Sequence, residues 1–343
     1  MQKILVIAPS WVGDCMLMQP MLLRLKQRFP ASTIDILGPP WTVSLLTQMP
    51  EVTEVIINPF PHGALQLRAR YTLGKQLRAK QYDAAYILPN SLKSALVPFF
   101  AGIPQRIGFV GEMRYGLLND ARRLDKEKLP LMVERFAYLA ENAQDEIQRP
   151  MPNPYLSVSE AKRAEALQKL ALTLDQPIAV FCPGAEYGPA KRWPISYFAE
   201  LSQRLHAQGC AVWLVGSAKD KEVSEKIVAL GNPHCHNLCG ATNLSDAIAL
   251  LACASIVVSN DSGLMHIAAA LDRPMLAIFG SSSPQFTPPL SSQAQIIKAE
   301  MPCSPCFKRE CPLGHFDCMM KLTPDFVAKH IPILSENPHE PTA

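Results

Sequence analysis

The chain has 343 residues, which is enough for two ordinary domains that each bury a hydrophobic core. Its composition, with 48% hydrophobic and 18% charged residues, excludes an intrinsically disordered protein. No apolar run reaches the roughly 18 residues that a bilayer-spanning helix needs, and the N-terminus lacks the pattern of a signal peptide. We therefore expect a soluble, cytoplasmic protein.

The net charge of +3 is unevenly distributed along the chain. Residues 1–150 hold 18 Lys/Arg against 13 Asp/Glu, a balance of +5, whereas the remainder holds 15 against 17. An anionic substrate or a membrane surface facing the N-terminal half would explain this asymmetry, and simple solvation explains it about as well. No arginine-rich run and no aromatic–basic alternation occurs, so nucleic-acid binding is not expected.

The first half alternates short apolar runs with helical patterns, which predicts a parallel sheet with right-handed crossovers. Its predicted strands are Ile4–Ile7, Thr33–Leu37, Val55–Ile57, Ala84–Leu88 and Arg106–Phe109. Its predicted helices are Met21–Arg28, Leu65–Lys80 and Ser91–Ala101.

The turn after the first predicted strand, "APSWVGDCM", contains Gly13 and Asp14. A glycine at the start of a helix is typical of a phosphate site, because backbone N–H groups point at the anion there. A carboxylate at Asp14 would repel that anion. Asp14 therefore either caps its helix or takes part in the chemistry.

A proline-rich segment, Gln148–Ser159, predicts a linker, after which the alternation restarts. The strands predicted beyond it are Ile178–Cys182, Ala211–Val215, His236–Leu238, Ile256–Ser259 and Met275–Phe279, and the helices are Ser196–Gln208, Lys219–Leu230, Leu244–Cys253 and Gly263–Leu271. Two similar α/β halves, residues 1–150 and 151–343, predict a central cleft with ligands at the carboxyl ends of the strands.

Three loops of the second half carry candidate binding residues. In "PGAEYGPAKRWP", Gly184 and Gly188 permit a close backbone approach, and Lys191 is either a phosphate ligand or a solvated surface lysine. In "GSAKDKE", an acid at Asp220 or Glu222 would bind a ribose diol, although the helix dipole also favours acids in a first turn.

The third loop, in "VSNDSGLMHIAAALDRPMLAIFG", opens a helix with Asp261, Ser262 and Gly263. Ser262 and Gly263 present a hydroxyl and backbone N–H groups, which suit a diphosphate. Asp261 would instead hold a sugar hydroxyl or orient a partner. His266, one turn later, is either a ligand-facing residue or part of the core.

Together, the motifs "PSWVGDCM", "PGAEYGPAKRWP" and "NDSGLMHIAAALDRP" resemble glycosyltransferase family 9, with matching order and spacing over about residues 1–340. The segments "LPNSLKSALVPFFAGIPQRIGF" and "EMRYGLLND" resemble the branch of that family that extends the first heptose of the lipopolysaccharide core. The resemblance implies a GT-B fold, in which the N-terminal Rossmann-like domain binds the acceptor and the C-terminal one binds the nucleotide sugar.

The resemblance also implies an inverting, metal-independent transfer without a cofactor. The donor would be ADP-L-glycero-β-D-manno-heptose and the acceptor heptosyl-Kdo2-lipid A. Such an acceptor would bring the enzyme to the cytoplasmic face of the inner membrane as a peripheral protein. The +5 balance of the first half would then have a purpose.

By position, the resemblance makes Asp14 the catalytic base. It assigns to the donor Gly184, Lys191, Thr242, Asp261, Ser262, Gly263, His266 and, in preference to Asp220, Glu222. Glu186 and Tyr187 stand where another branch of the family has two threonines, so only the backbone role of that loop carries over. Candidate acceptor contacts are Gly13, Asn90, Ser91, Lys93 and Arg114, with Arg106, Arg122 and Arg123 as further cations for phosphates or Kdo carboxylates.

Four cysteines near the C-terminus, Cys303, Cys306, Cys311 and Cys318, surround His315 in "CSPCFKRECPLGHFDCMMK". The C-x2-C pair is compatible with zinc, but the following gaps of four and six residues are irregular for a zinc ribbon. Reduced thiols and a disulfide are the alternatives, and each of these states would be structural. The other six cysteines are expected to be buried thiols.

Competing functions remain open from the sequence. A heptosyltransferase with another acceptor and a sugar-nucleotide epimerase share the motifs, and acceptor-independent turnover would identify the epimerase. A non-catalytic nucleotide-binding scaffold is disfavoured by Asp14 together with Lys191. A dinucleotide-dependent oxidoreductase is disfavoured because no G-x-G-x-x-G follows the first strand.

Overall fold

A computed structural model describes residues 2–231 and 235–332. The chain divides into two compact units, unit 1 (Met1–Pro154) and unit 2 (Tyr155–Ala343), and the division falls inside the proline-rich segment. Each unit contains one sheet of six parallel strands with helices packed on it. Among the described residues, no helix combines the length and the apolar character that crossing a bilayer requires.

In unit 1 the polypeptide alternates strands and helices in the order expected of βαβ units. The strands are β1 (Lys3–Ile7), β2 (Thr33–Gly38), β3 (Glu54–Ile57), β4 (Ala84–Ile87), β5 (Gln105–Phe109) and β6 (Asp120–Arg122). The helices are α1 (Val12–Arg28), α2 (Val43–Leu46), α3 (Leu67–Leu77), α4 (Leu96–Phe100) and α5 (Met132–Leu139).

Unit 2 repeats this alternation. The strands are β7 (Ile178–Cys182), β8 (Ala211–Leu214), β9 (Cys235–Asn237), β10 (Ile256–Asn260), β11 (Met275–Phe279) and β12 (Ala294–Lys298). The helices are α6 (Glu160–Lys169), α7 (Ile195–Ala207), α8 (Lys221–Leu230), α9 (Leu244–Ala252), α10 (Gly263–Ala270), α11 (Asp317–Met320) and α12 (Pro324–Ala328).

Both sheets have the same topology. The strand order is β3-β2-β1-β4-β5-β6 in unit 1 and β12-β11-β10-β7-β8-β9 in unit 2, so the chain reverses direction across the sheet between β1 and β4 and again between β7 and β10. These central strands are continuous apolar runs, because helices cover both of their faces. At each reversal, the loops that leave the two central strands diverge to opposite faces and open a crevice for a ligand.

The predicted fold class, two parallel α/β sheets, is confirmed. Two edge strands, β6 and β12, were not predicted. β6 has only three residues, and β12 exposes three of its five, so neither shows the apolar run of a central strand. Helix α1 begins at Val12 rather than Met21 and contains Pro20 in its interior, which is why the sequence favoured a later start.

Gly74 sets how closely α3 approaches α4. A Cβ atom at this position would lie 2.5 Å from the Cβ of Phe100 and 3.0 Å from the Val97 carbonyl oxygen. Alanine normally stabilises a helix interior by about 1 kcal/mol relative to glycine. Here we expect Gly74→Ala to lower the free energy of unfolding by roughly 1–3 kcal/mol, because the backbones must separate.

Urea unfolding measured by circular dichroism tests this expectation. Gln76→Ala, an exposed change on the same helix, serves as the control and should alter stability by less than about 0.5 kcal/mol. A Gly74→Ala protein more stable than the wild type would contradict the close approach.

Candidate functional site

In unit 2 a salt bridge joins the two loops at the chain reversal. Lys191 lies in a short 3₁₀ turn after β7, and Asp261 follows β10 directly. The Lys191 Nζ and the Asp261 Oδ2 are 2.5 Å apart, and both side chains are largely buried. The sequence placed each residue in a binding loop, and the structure brings the two into one ion pair.

Asn260, the last residue of β10, fixes these loops to the sheet. Its Oδ1 accepts a hydrogen bond from the Trp193 backbone N–H, and its Nδ2 donates to the Pro183 carbonyl, so the amide holds both ends of the Lys191 loop. The side chain is fully buried. Asn260 was not predicted as a site residue. A polar amide at the end of an apolar strand could have indicated it.

Helix α10 begins beside the ion pair. Ser262 is its N-cap residue in an extended conformation, and its hydroxyl makes no capping bond, although it lies 3.3 Å from the Ser259 hydroxyl. The first N–H groups of α10, starting at Gly263, therefore have no capping side chain from Ser262. Unpaired N–H groups at a helix start attract anions.

His266 is in the second turn of α10 and is buried next to the ion pair. Desolvation lowers the pKa of its imidazole to about 4; Asp261 opposes this shift and Lys191 adds to it. His266 is therefore neutral at physiological pH. It therefore contributes no charge to this region at that pH.

The Lys191 loop is packed against the cysteine-containing segment, residues 303–318. The Tyr187 hydroxyl donates to the Phe307 carbonyl at 2.8 Å, and Arg309 Nε donates to the Tyr187 carbonyl at 2.6 Å. The Lys191 Nζ lies 5.2 Å from the centroid of the Tyr187 ring. Glu186 is exposed and forms an ion pair with Lys219.

Of the two candidate ribose carboxylates, only Asp220 lies against the loop that follows β7. A Cβ on Gly184 would come within 2.5 Å of the Asp220 carboxylate, which accepts hydrogen bonds from the Ser217 N–H and hydroxyl. Glu222 is exposed and pairs with Lys226, which lowers the pKa of Glu222. Both acids follow β8, and the assignment of Glu222 to the ribose stays a prediction.

Thr242 is half-buried in the loop after β9, and its hydroxyl donates to the Leu238 carbonyl at 3.3 Å. The neighbouring loops after β8 and β9 meet at Gly240, where a Cβ would lie 3.1 Å from the Cα of Ala218. Thr242 thus follows the strand next to β8, at the same carboxyl edge as the ion pair.

In unit 1 the corresponding loops follow β1 and β4. Helix α1 has Trp11 as its N-cap residue, so Asp14 is the third helical residue and not the cap. The half-buried Asp14 carboxylate still benefits from the helix dipole, and together with burial, the larger cause, it raises the pKa of the Cys15 thiol. Buried Gly13 precedes it, and the exposed Trp41 indole donates to the Ser10 carbonyl at 2.9 Å.

Arg114 lies inside unit 1 rather than on a binding surface. Its guanidinium donates to the carbonyls of Phe109 and Pro89 and to side-chain oxygens of Asn90 and Ser94. Burial lowers the pKa of Arg114 to about 10, so it stays charged at neutral pH. Arg114 holds the loop that contains Asn90 and Ser91 in shape, and a direct contact with an acceptor stays a prediction.

The side chains of two further arginines are also held by contacts within unit 1. Arg106 donates to the carbonyls of Leu117 and Ile103, and buried Arg122 pairs with Asp120 and donates to two more carbonyls. Arg123 is exposed and Lys93 is half-buried, so these two cations remain accessible in unit 1.

All four cysteines of the C-terminal segment line one small cavity of about 50 Å³, together with Ala190, Ser281 and His315. Within the described ranges, no three metal-ligating side chains are arranged to hold an ion, and the cysteines are free thiols. The six other cysteines are buried, as expected. Two buried hydroxyls nearby, those of Ser281 and Ser282, have no hydrogen-bond partner among the described residues.

Comparison of the chain with known proteins identifies its family. The model of glycosyltransferase family 9 (heptosyltransferase) matches residues 70–317, which is more than half of the chain. The chain belongs to glycosyltransferase family 9.

Individual members of glycosyltransferase family 9 match over nearly the full chain. Lipopolysaccharide heptosyltransferase 2 of Escherichia coli strain K12 is 49% identical over 339 residues, covering 96% of this chain and 97% of that protein. Lipooligosaccharide heptosyltransferase 2 of Haemophilus influenzae is 50% identical over 86% of this chain and 88% of its own length. The structure of E. coli ADP-heptose LPS heptosyltransferase II has a TM-score of 0.88 at 46% identity, with 96% of this chain and 97% of that chain covered.

For this family 9 member, burial of neutral His266 has a consequence for stability. The ordinary pKa is 6.5 and the folded value about 4, so the unfolded chain binds a proton that the folded chain rejects between these values. Stability is therefore complete above pH 6.5, falls as the pH drops toward 4 and levels off below it. Through this group, the free energy of unfolding of the wild type should fall by up to about 2 kcal/mol between pH 7 and pH 5. We expect His266→Gln to abolish this part of the pH dependence.

Urea unfolding at the two pH values measures this difference. His62→Gln, an exposed change in unit 1, should keep the wild-type pH dependence. An identical pH dependence in His266→Gln and the wild type would show that the imidazole is not the responsible group.

Proposed function

We propose that this chain is an ADP-heptose:lipopolysaccharide heptosyltransferase II. It transfers L-glycero-D-manno-heptose from ADP-L-glycero-β-D-manno-heptose to the first heptose of heptosyl-Kdo2-lipid A. The observation that carries the proposal is the Lys191–Asp261 pair at the start of α10, in a chain 49% identical to the E. coli enzyme over nearly its full length. This pair occupies the position where open α/β sheets bind nucleotides.

The donor's diphosphate fits the start of α10. The first N–H groups of α10, which the Ser262 side chain does not cap, would donate hydrogen bonds to its oxygens. The Ser262 hydroxyl and the Lys191 ammonium would donate to them as well. When the bond from the anomeric carbon to the diphosphate breaks, the electron pair stays on the leaving ADP. Fixed dipoles and a cation at that point stabilise the developing charge without reorganising.

The remaining donor contacts follow from the same carboxyl edge. The Asp261 carboxylate accepts a hydrogen bond from a sugar hydroxyl while it holds Lys191 in place. Neutral His266 is buried nearby, in α10. The Gly184 loop lets the donor approach the backbone. The ribose is bound by Glu222 in the first turn of α8 or by Asp220, which lies beside Gly184. Thr242 lies in the loop assigned to the adenine.

Asp14 acts as the general base of an inverting transfer. The acceptor hydroxyl attacks the anomeric carbon from the face opposite the diphosphate, and its proton passes to the Asp14 carboxylate as the new bond forms. A sugar hydroxyl is a very weak acid, so the proton moves late and the carboxylate needs no strongly raised pKa. Asp14 lies in the first turn of α1, where the helix dipole favours a negative charge.

The acceptor binds to unit 1 in this proposal. Gly13 lies in the first turn of α1, which follows β1. Asn90, Ser91 and Lys93 follow β4, and Arg114 holds this second segment in shape. Arg123 supplies an accessible charge for phosphate or carboxylate groups. Because the acceptor is a lipid, the enzyme works at the cytoplasmic face of the inner membrane, where the exposed Trp11 and Trp41 suit the interface.

Replacing the base tests the mechanism. We expect Asp14→Asn to reduce ADP release from ADP-heptose and heptosyl-Kdo2-lipid A by about 100-fold or more, with the affinity for ADP unchanged. The amide keeps the size of the side chain but cannot take up the proton.

Glu146→Gln, an exposed change in unit 1, is the matched control and should keep full activity. Full activity of Asp14→Asn would contradict the base assignment. Consumption of ADP-heptose without acceptor would favour the epimerase over the transferase.

Removing the cation of the ion pair tests the donor site separately. We expect Lys191→Met to weaken ADP binding by about tenfold or more, because a charge-assisted phosphate contact is lost and Asp261 is left unpaired. Isothermal titration calorimetry measures this affinity. Lys162→Met, on exposed helix α6, should bind ADP like the wild type, and equal affinities for all three proteins would place the diphosphate elsewhere.

A further inference from the structure

The ion pair leaves the proposed diphosphate site without net side-chain charge. Lys191 and Asp261 neutralise one another at 2.5 Å, and His266 is neutral because burial lowers its pKa. The remaining attraction for ADP comes from the dipole of α10, which is equivalent to about half a charge. A leaving diphosphate carries more negative charge than this, so a second cation near Lys191 would strengthen its binding.

Arg309 is positioned to be that cation. Its Cζ lies 5.5 Å from the centroid of the Tyr187 ring, and the Lys191 Nζ lies 5.2 Å from the same centroid, so the two charged groups are at most 10.7 Å apart. The backbone holds Arg309 to the same loop, because its carbonyl accepts from the Ala190 N–H at 3.0 Å. No side chain fits at Gly188, where a Cβ would lie 2.5 Å from that carbonyl oxygen.

The bonding of Arg309 leaves its outer nitrogens available. Its Nε donates to the Tyr187 carbonyl, and within residues 2–231 and 235–332 neither Nη atom has a hydrogen-bond partner. The side chain is exposed. A guanidinium held through Nε presents a planar pair of donors, which matches two phosphate oxygens.

The segment that carries Arg309 is fixed to the sheet edge. The Phe307 N–H donates to the Ser281 carbonyl at 2.7 Å, and the Ser304 hydroxyl donates to the Gly280 carbonyl at 2.7 Å. Both acceptors directly follow β11, the neighbour of β10. The guanidinium is thus anchored at the carboxyl edge that holds the ion pair, and less conformational entropy is lost when it binds.

We propose that Arg309 is a second diphosphate-binding residue, which supplies the net positive charge that the Lys191–Asp261 pair lacks. This inference rests on the proposed function, because it takes the ligand of this edge to be a nucleoside diphosphate. It also gives the cysteine-containing segment a role, since that segment holds the arginine in place.

Calorimetric titration of the full-length protein with ADP, and with adenosine as a phosphate-free probe, tests the inference. We expect Arg309→Gln to weaken ADP binding by about tenfold and to leave adenosine binding unchanged. Arg309→Lys should recover part of the loss, because it keeps the charge but not the paired donors. Lys308→Gln, the adjacent exposed cation, is the matched control and should bind ADP like the wild type.

The outcomes separate this inference from the function on which it rests. If wild-type protein fails to bind ADP, the proposed function is wrong. If wild type and Arg309→Gln bind ADP equally, only the role of Arg309 is overturned. An equal loss of ADP and adenosine affinity would also overturn it, because Arg309 would then act by maintaining the fold of the loop.

Discussion

The ion pair between Lys191 and Asp261 is the contact on which the proposed donor site of unit 2 depends. It links the loops after β7 and β10, the two strands between which the chain reverses, and so places a cation beside the start of α10. Asn260 fixes the position of the Lys191 loop, because its side-chain amide is hydrogen-bonded to both ends of that loop. These groups are buried and complete one another's hydrogen bonding, so the protein alone fixes the positions of the two loops.

The burial of this ion pair also explains the arrangement of the residues around it. A buried pair is stable only if its neighbours complete its hydrogen bonding and exclude competing partners. The Tyr187 ring lies beside the lysine, neutral His266 is buried close to the pair, and the segment containing Phe307 and Arg309 is hydrogen-bonded to Tyr187. In this view the cysteine-containing segment is part of the architecture of the site.

Sequence reasoning predicted the central strands and the loops that follow them, because buried parallel strands are continuous apolar runs. It missed β6 and β12, whose exposure removes that signal, and it started α1 late because Pro20 breaks the helical pattern. For the site, it found Lys191 and Asp261 separately. It could not find their pairing, the burial of Arg114 or the position of Arg309, since each depends on contacts between residues distant in the chain.

The distribution of the cysteines has a chemical consequence. Six thiols are buried in the two units, and burial raises the pKa of those at Cys235 and Cys239 to about 12, so their reactive thiolate forms are scarce. At Cys311 the opposite holds, because backbone N–H groups of the following residues point at the sulfur and lower its pKa. The segment that carries Arg309 therefore holds a thiol, Cys311, whose thiolate form is favoured relative to those of the buried cysteines.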